Sequence, residues 1–566
     1  MNVDCTGSIL SENYFDFISD YELAARETLD IMDICVIRID NSFASLYVPL
    51  DRLPEDLLNA YGYKVFPRVF GLLDTASLDA SGVNRLRNVP GLDFRGQGVL
   101  IGIVDTGVDY THRAFLNADG TTRIVSIWDQ TIQSGNPPEA LYYGTEYNRE
   151  QINIALQNSD PHAIVPSVDE IGHGTFLAGI AAGNEDQEND FSGVAPDAEL
   201  VVVKLKPAKQ NLRDLYLIPD GAICYQENDI MLGIKYLVTT AIRLNRPICI
   251  CIGLGTTQGA HDLFGALSMY IASIMQMDGC AVIVAAGNEG NSRRHFEGAM
   301  GAGINTETIE LNIGANEPGF MMEIWGDSPN IFAVEMLTPS GEAVPRINPR
   351  LGETREVNFI FERSRVNVLF KLVGSSSGGQ LVIIKFQAPT EGIWRIIIHK
   401  VNQTLDLRFN IWLPMQGFIS DGTFFINSSP YTTLTTPANS FIPIVTTAYN
   451  NNDNSIYINS SRGFSRLGFV PDLTAPGVNI LGPSPGNTYT IGSGTSIAAA
   501  HTTGVAAMLF EWGKIRGNVQ YMDGLDIKNL LARGAIRETT RDYPSRVWGY
   551  GILNIYNVFE SLRGNL

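Results

Sequence analysis

The sequence predicts an α/β fold: a parallel sheet with helices on both faces, preceded by a small α+β unit and interrupted by an inserted β-sandwich. Over residues 73–300, near-continuous apolar runs alternate with helical stretches. Near residue 300 the period changes to short β-spaced runs split by Gly, Pro and Asn, and from residue 438 the helix-and-strand alternation returns.

In chain order, residues 1–72 join an acidic helix-like segment ("ENYFDFISDYELAARETLD") to a strand-like one ("DICVIRID") and end at "YKVFPRVFGLLD", which reads as a small α+β unit. Residues 73–300 carry the strands "VLIGIVD", "ELVVVKLK", "PICICIGLG" and "CAVIVAAGN" between helices such as "DIMLGIKYLVTTAIRL". Strands without polar alternation are buried on both faces, the mark of a parallel sheet covered by helices. Residues 301–437 ("TIELNIG", "FMMEIWG", "VNVLFKLVG", "QLVIIKFQAP", "IWRIIIHK") form the expected sandwich. Residues 438–566 resume the first domain with "PIVTTAYN" and "SGTSIAAAHTTGVAAMLFEW".

Composition excludes some partners. A formal net charge of -20 in 566 residues, with no basic stripe, argues against nucleic acid and anionic membrane. No run reaches the roughly 20 apolar residues that span a bilayer. The N-terminus lacks a basic start followed by an apolar stretch, so the chain is expected to be made in the cytoplasm without a signal peptide. Of six cysteines, Cys249, Cys251 and Cys280 lie in apolar strand-like runs and read as buried free thiols. Cys249 and Cys251 face the same side of a strand, but a metal pair would lack a second pair nearby, and no metal ligands are assigned.

Chemistry enters at "VLIGIVDTGVDYTHRAF". Asp105, closing an apolar run, could be one of two proton-sharing carboxylates of an aspartic protease, the orienting acid of a Ser-His-Asp triad, or a strand end turning on Gly107. The first reading needs a second D-T-G or D-S-G, and Asp105 carries the only one. The second needs a base and a nucleophile. His173, in "DEIGHGTFLAGIAAG", sits where a glycine-flanked turn enters a helix of small residues. His112 is nearer in sequence but is expected at the surface or in a turn. Ser496, in "TIGSGTSIAAAH", opens a helix whose backbone N–H groups and dipole suit a developing oxyanion; an N-cap serine is the plainer alternative. Asn288, in "CAVIVAAGNEGN", ends a buried strand and could donate to the same oxyanion or simply form a turn.

The blocks "DTGVD", "GHGTFLAG", "AAGNEGN" and "GTSIAAAH", in the order Asp, His, Ser, resemble the signature blocks of the subtilisin-like serine proteases, peptidase family S8. "FSGVAPDAEL", "PDLTAPGVNIL" and "WGYGILNIYNV" fall in matching order. The resemblance implies a triad of Asp105, His173 and Ser496, with Asn288 in the oxyanion hole. It also implies that substrate lies as an extended strand between Gly253, Leu254 and Gly255 on one side and Ala285, Ala286 and Gly287 on the other. Two positions depart from the family. Ala500 replaces a customary proline, and Ala114 replaces an acid that often helps hold calcium, which puts the structural calcium site in doubt.

Residues 80–112 and the overall layout further resemble the germination-specific Csp proteases of clostridia. That resemblance implies that residues 1–72 are a self-cleaved prodomain that stays bound, and that residues 301–437 are a jelly roll locking the catalytic domain. It also implies a protein substrate such as the precursor of a spore-cortex-lytic hydrolase, a monomeric enzyme, and a place in the cortex or coat region of the spore. Self-cleavage would fall within "VFPRVFGLLDTAS". The alternatives are an ordinary interaction domain for 1–72, a carbohydrate-binding sandwich, a prodomain-occluded pseudoprotease, and a general subtilisin-like peptidase unrelated to spores.

Overall fold

A computed structural model describes residues 5–20, 34–73, 93–350, 354–360, 362–402 and 405–563. Three strands open the chain: β1 (Tyr14–Asp20), β2 (Cys35–Arg38) and β3 (Phe43–Pro49), with β3 central and antiparallel to both neighbours. β1 falls within the segment expected to be helical. Phe15 and Phe17 share one side of the strand, Asp16 and Ile18 the other, and all four are buried, so it is pairing with β3 and cover on both faces that make this segment a strand. The rest of that expected helix, residues 21–30, lies outside the described residues. A disulfide joins Cys5, just before a short helix, to Cys35 at the start of β2, with Cα atoms 5.4 Å apart. Cys224, Cys249, Cys251 and Cys280 are free and buried. The chain then extends into β4 (Val69–Leu72).

The main sheet has nine strands. β5 (Leu100–Asp105) lies at its centre, followed in sequence by β6 (Ile124–Asp129), β7 (Thr145–Asn148), β8 (Glu199–Lys204), β10 (Ile248–Ile252) and β12 (Cys280–Ala285), while β9 (Tyr225–Gln226) and β11 (Leu254–Gly255) stand apart from it. β8 and then β6 lie on one side of β5, and β10, β12 and Ile444–Asn450 on the other, all parallel. The chain therefore changes direction between β5 and β10, and a crevice is expected beyond the carboxyl ends of strands at such a point.

Alternation along β5 sends its residues to two helical layers. Gly102 and Val104 face the helix Glu227–Leu244, packing on Leu237 and Gly233. Asp105 faces the other layer, made by the helices His173–Ala182 and Thr495–Phe510. Both are small-residue helices buried along their whole length, so they approach the sheet and each other closely.

The inserted unit is a sandwich of a six-stranded and a five-stranded antiparallel sheet with its own core, including Trp394, Phe386 and Phe409. Its first strand is His295–Met300, ahead of residue 301. Where it meets the main domain, the Trp412 ring is stacked between His261 (centroids 3.8 Å apart) and His295 (5.0 Å). His261 Nε2 lies 2.9 Å from the Thr257 carbonyl, and His295 Nε2 lies 2.9 Å from Asn410 Oδ1. Burial pushes His261 down to about 3 and His295 down to about 4. Both are neutral in the fold, whereas in the unfolded chain each takes a proton below about pH 6.5. Proton uptake then favours the unfolded chain, so stability is lost as pH falls from about 6.5 toward those folded values. Lowering pH from about 7 to about 5.5 is expected to cost roughly 2–3 kcal/mol from this pair. Denaturant titration of wild type and His295→Gln at both pH values checks it, and an equal acid loss in the two proteins would count against the pair as its source.

Buried polar groups tie the N-terminal strands to the main domain. Lys209 Nζ is 2.6 Å from Asp16 Oδ1 on β1, and Gln226 and Asn228 donate to Asp16 Oδ2 at 2.6 and 3.1 Å. Lys206 pairs with Asp229 at 2.6 Å behind them, and burial raises the Asp229 carboxyl.

Candidate active site

Asp105 ends β5 fully buried, with its Oδ1 accepting from the Thr106 amide at 2.8 Å. His173 begins its helix after Gly172, whose φ of +88° suits glycine. Gly174 follows because a Cβ there would collide with the Gly107 carbonyl, and its amide donates to Thr106 Oγ1 at 2.8 Å. The two turns thus lock together. His173 Nδ1 lies 2.7 Å from Asp105 Oδ1, and its Nε2 lies 3.3 Å from Ser496 Oγ in the first turn of the helix Thr495–Phe510. The structure therefore brings Asp105, His173 and Ser496, 391 residues apart along the chain at the extremes (496 − 105), into one hydrogen-bonded line.

Asn288 meets the same helix start. Its Oδ1 accepts from the Thr495 amide (3.2 Å) and hydroxyl (3.1 Å), which fixes the amide plane and leaves its NH₂ as the remaining donor. Gly253 touches this line directly: a Cβ there would crowd Leu177, His173 Cε1 and Ser496 Cβ.

The cleft is occupied by the chain's own β4. Leu72 pairs with Leu254 and Gly71 with Gly255 in antiparallel register on one side, while Phe70 pairs with Tyr225 and Val69 with Gln226 on the other. The Leu73 amide donates to the Gly253 carbonyl at 3.1 Å, and the Leu73 carbonyl lies 3.1 Å from His173 Nε2. Met415 and Phe418 lie over Gly71.

This corrects the expected second rim. Ala285, Ala286 and Gly287 do not pair with the strand. The Ala286 amide donates to Thr446 and its carbonyl accepts from Thr435, while Gly287 bonds Thr495 Oγ1 and the Ser461 amide. They form the floor at the end of β12, and the edge is Tyr225–Gln226. Sequence reading missed that edge because two residues carry no period. It also missed Gln258, whose Oε1 accepts from the Val69 amide at 3.1 Å.

His112 closes a turn, its amide donating to the Asp109 carbonyl at 3.1 Å, and it is fully buried rather than at the surface. Its Nδ1 accepts from the Ala114 amide at 3.1 Å and its Nε2 lies 2.9 Å from the Thr488 carbonyl, so it braces the loop after Asp105. The Ala114 carbonyl is taken by the Asn184 amide (2.9 Å) and by Arg123 Nη2 (2.7 Å). The Arg123 guanidinium also holds the Ala182 and Ala198 carbonyls. A side chain without oxygen and a carbonyl already bonded to a cation do not fit a calcium site here. Among the described residues no group of three or more His, Cys, Asp or Glu is placed to hold a metal, and no helix is long and apolar enough to cross a membrane.

Residues 96–345 and 416–551 match the family model described as the subtilase family. This chain belongs to the subtilases. The solved structure of the Clostridium perfringens CspB protease is 33% identical to this subtilase, with a TM-score of 0.76 over 86% of this chain and 96% of that one. An intracellular serine protease of Paenibacillus polymyxa is 28% identical over 217 residues, 38% of this chain and 50% of that protein. Subtilisin-like protease SBT2.2 of Arabidopsis thaliana is 27% identical over 219 residues, 36% of this chain and 24% of that protein. The subtilase thus spans half or less of the length of these two curated relatives, while its fold matches that of CspB over 86% of the chain.

Proposed function

We propose that this subtilase is a serine endopeptidase that cuts itself between Leu73 and Asp74 and keeps residues 1–73 in its cleft as bound product and inhibitor. The observation that carries this reading is the Leu73 carbonyl, 3.1 Å from His173 Nε2 at the end of a strand held in substrate register. Ser496 Oγ attacks the Leu73 carbonyl carbon as His173 takes its proton, and Asp105 steadies the imidazolium. The Asn288 NH₂ and the Ser496 amide receive the developing oxyanion. The imidazolium then protonates the leaving amine of Asp74. Water, deprotonated by His173, releases the acyl-enzyme and leaves a Leu73 carboxylate.

The resemblance of residues 80–112 and of the overall layout to the Csp proteases suggests a protein substrate activated during spore germination, such as a cortex-hydrolase precursor, and action as a monomer. The filled cleft also favours a second reading, a regulatory protein whose site stays occluded. Intact-mass measurement tests the first: wild type is expected to yield a fragment ending at Leu73, and an uncut wild-type chain would sink self-processing. A fluorophosphonate that labels wild type and spares the Ser496→Ala chain would argue against permanent occlusion. Asn288→Ala is expected to slow self-cleavage by about 10²–10³-fold, the scale of one oxyanion donor, followed by pulse-chase of newly made chain.

A further inference from the structure

We infer that the cleft has a sixth subsite, built jointly by the main domain and the inserted sandwich, that selects a guanidinium six residues before the cleaved bond. The inference rests on the self-cleavage reading above, which makes Arg68 that sixth residue.

The Arg68 backbone is already held as substrate: its amide donates to Glu227 Oε2 at 3.1 Å and its carbonyl accepts from the Glu227 amide at 2.9 Å. Its side chain then turns into a slot between domains. A Cβ at Gly259 would lie 2.7 Å from Arg68 Cζ, and one at Gly265 would lie 2.7 Å from Arg68 Nη1, so two glycines leave the space that the guanidinium fills. Nη1 is 4.0 Å from Glu227 Oε1, and the Glu227 side chain is 2% exposed. The second acid, Glu323, comes from the sandwich strand Gly319–Gly326 and lies within electrostatic reach of Arg68. Glu323 Oε2 accepts from the Gly259 amide at 3.0 Å and from Trp325 Nε1 at 2.9 Å, and its Oε1 accepts from Tyr63.

Burial raises the Glu323 carboxyl, and Arg68 is among the groups that pull it back. Tyr63 and Arg68 both belong to residues 1–73. Once that segment leaves, Glu323 loses two of its partners, and Glu227 and Glu323 both line the slot without the Arg68 guanidinium. A substrate arginine restores the balance. A neutral side chain leaves the acids unpaired, and an acidic one adds like charge, so selection works by penalty as well as by attraction. The sandwich thereby takes part in choosing the substrate.

The test uses full-length self-cleaved protein carrying Asp16→Ala, which loosens residues 1–73 and lies outside the cleft. Quenched peptides XVFGLLDTAS with Arg, Lys, Gln, Ala or Glu at X are compared by kcat/KM. Arg is expected to exceed Gln by about tenfold and Glu by more, with Lys between, as for a partly buried charge pair. Adding Glu323→Gln should shrink the Arg-to-Gln ratio. A ratio within twofold for all five peptides overturns the subsite and leaves the protease reading intact. If wild type stays uncut and no peptide is cleaved, the protease reading fails and the subsite fails with it. If Asp16→Ala yields no folded protein, self-cleavage half-times of Arg68→Lys and Arg68→Glu chains replace the peptides, with Tm of the matching Ser496→Ala chains checking folding. Equal half-times at equal Tm then overturn the proposal.

Discussion

Replacing Ser496 by alanine leaves the chain uncut at Leu73–Asp74. The expected loss in rate is about 10⁶-fold, the scale at which a triad nucleophile is missed, so no fragment should form over days. The fold should hold, because Ser496 is one small residue in a helix of small residues, and Thr495 and Asn288 still bond at its start. Circular dichroism and intact mass on the same preparation check both halves. A folded Ser496→Ala chain that still cuts after Leu73 would remove Ser496 from the reaction and the triad with it.

The second large effect concerns the grip on residues 1–73. Asp16 is 2% exposed and receives Lys209, Gln226 and Asn228. Asp16→Ala leaves the Lys209 ammonium, itself 4% exposed, with only the Ser8 and Tyr14 carbonyls at 3.3 Å and no counter-charge on β1, which costs about 3–5 kcal/mol for a buried pair broken on one side. Because the pair joins the N-terminal segment to the main domain, the loss falls on that interface after self-cleavage. Gel filtration of cleaved protein should show residues 1–73 departing from Asp16→Ala. Asp16→Asn, which can still accept a hydrogen bond from Lys209, should be intermediate. Full co-elution from Asp16→Ala would show that the pairing of β4 and the other contacts of residues 1–73 hold the segment without the Asp16–Lys209 pair.

Much of the site was legible because catalysis constrains local sequence. A strand that must stop at an acid, a helix that must begin with an imidazole, and a helix start with no Cβ in the way write "DTG", "GHGT" and "GTS" into the chain. The parallel sheet was legible from unbroken apolar runs. β1 was misread as helix because a strand buried on both faces, Phe15 and Phe17 on one and Asp16 and Ile18 on the other, leaves no alternation to read, and only its pairing with β3 reveals it. His112 sits in a turn, as one of its two expectations had it, but its burial was not legible, because it depends on the Thr488 carbonyl 376 residues away.

The sequence by itself pointed to the parallel sheet and to Asp105, His173, Ser496 and Asn288, since each is set by residues within one turn or strand end. Tertiary structure alone decided what fills the cleft. Tyr225–Gln226 becomes an edge, Gln258 a reader of Val69, and Glu227 with Glu323 a slot for Arg68, only when segments far apart in the chain converge on one extended strand. The physical reason is that β pairing and buried charge are satisfied between segments, so neither leaves a period in the residues that supply them.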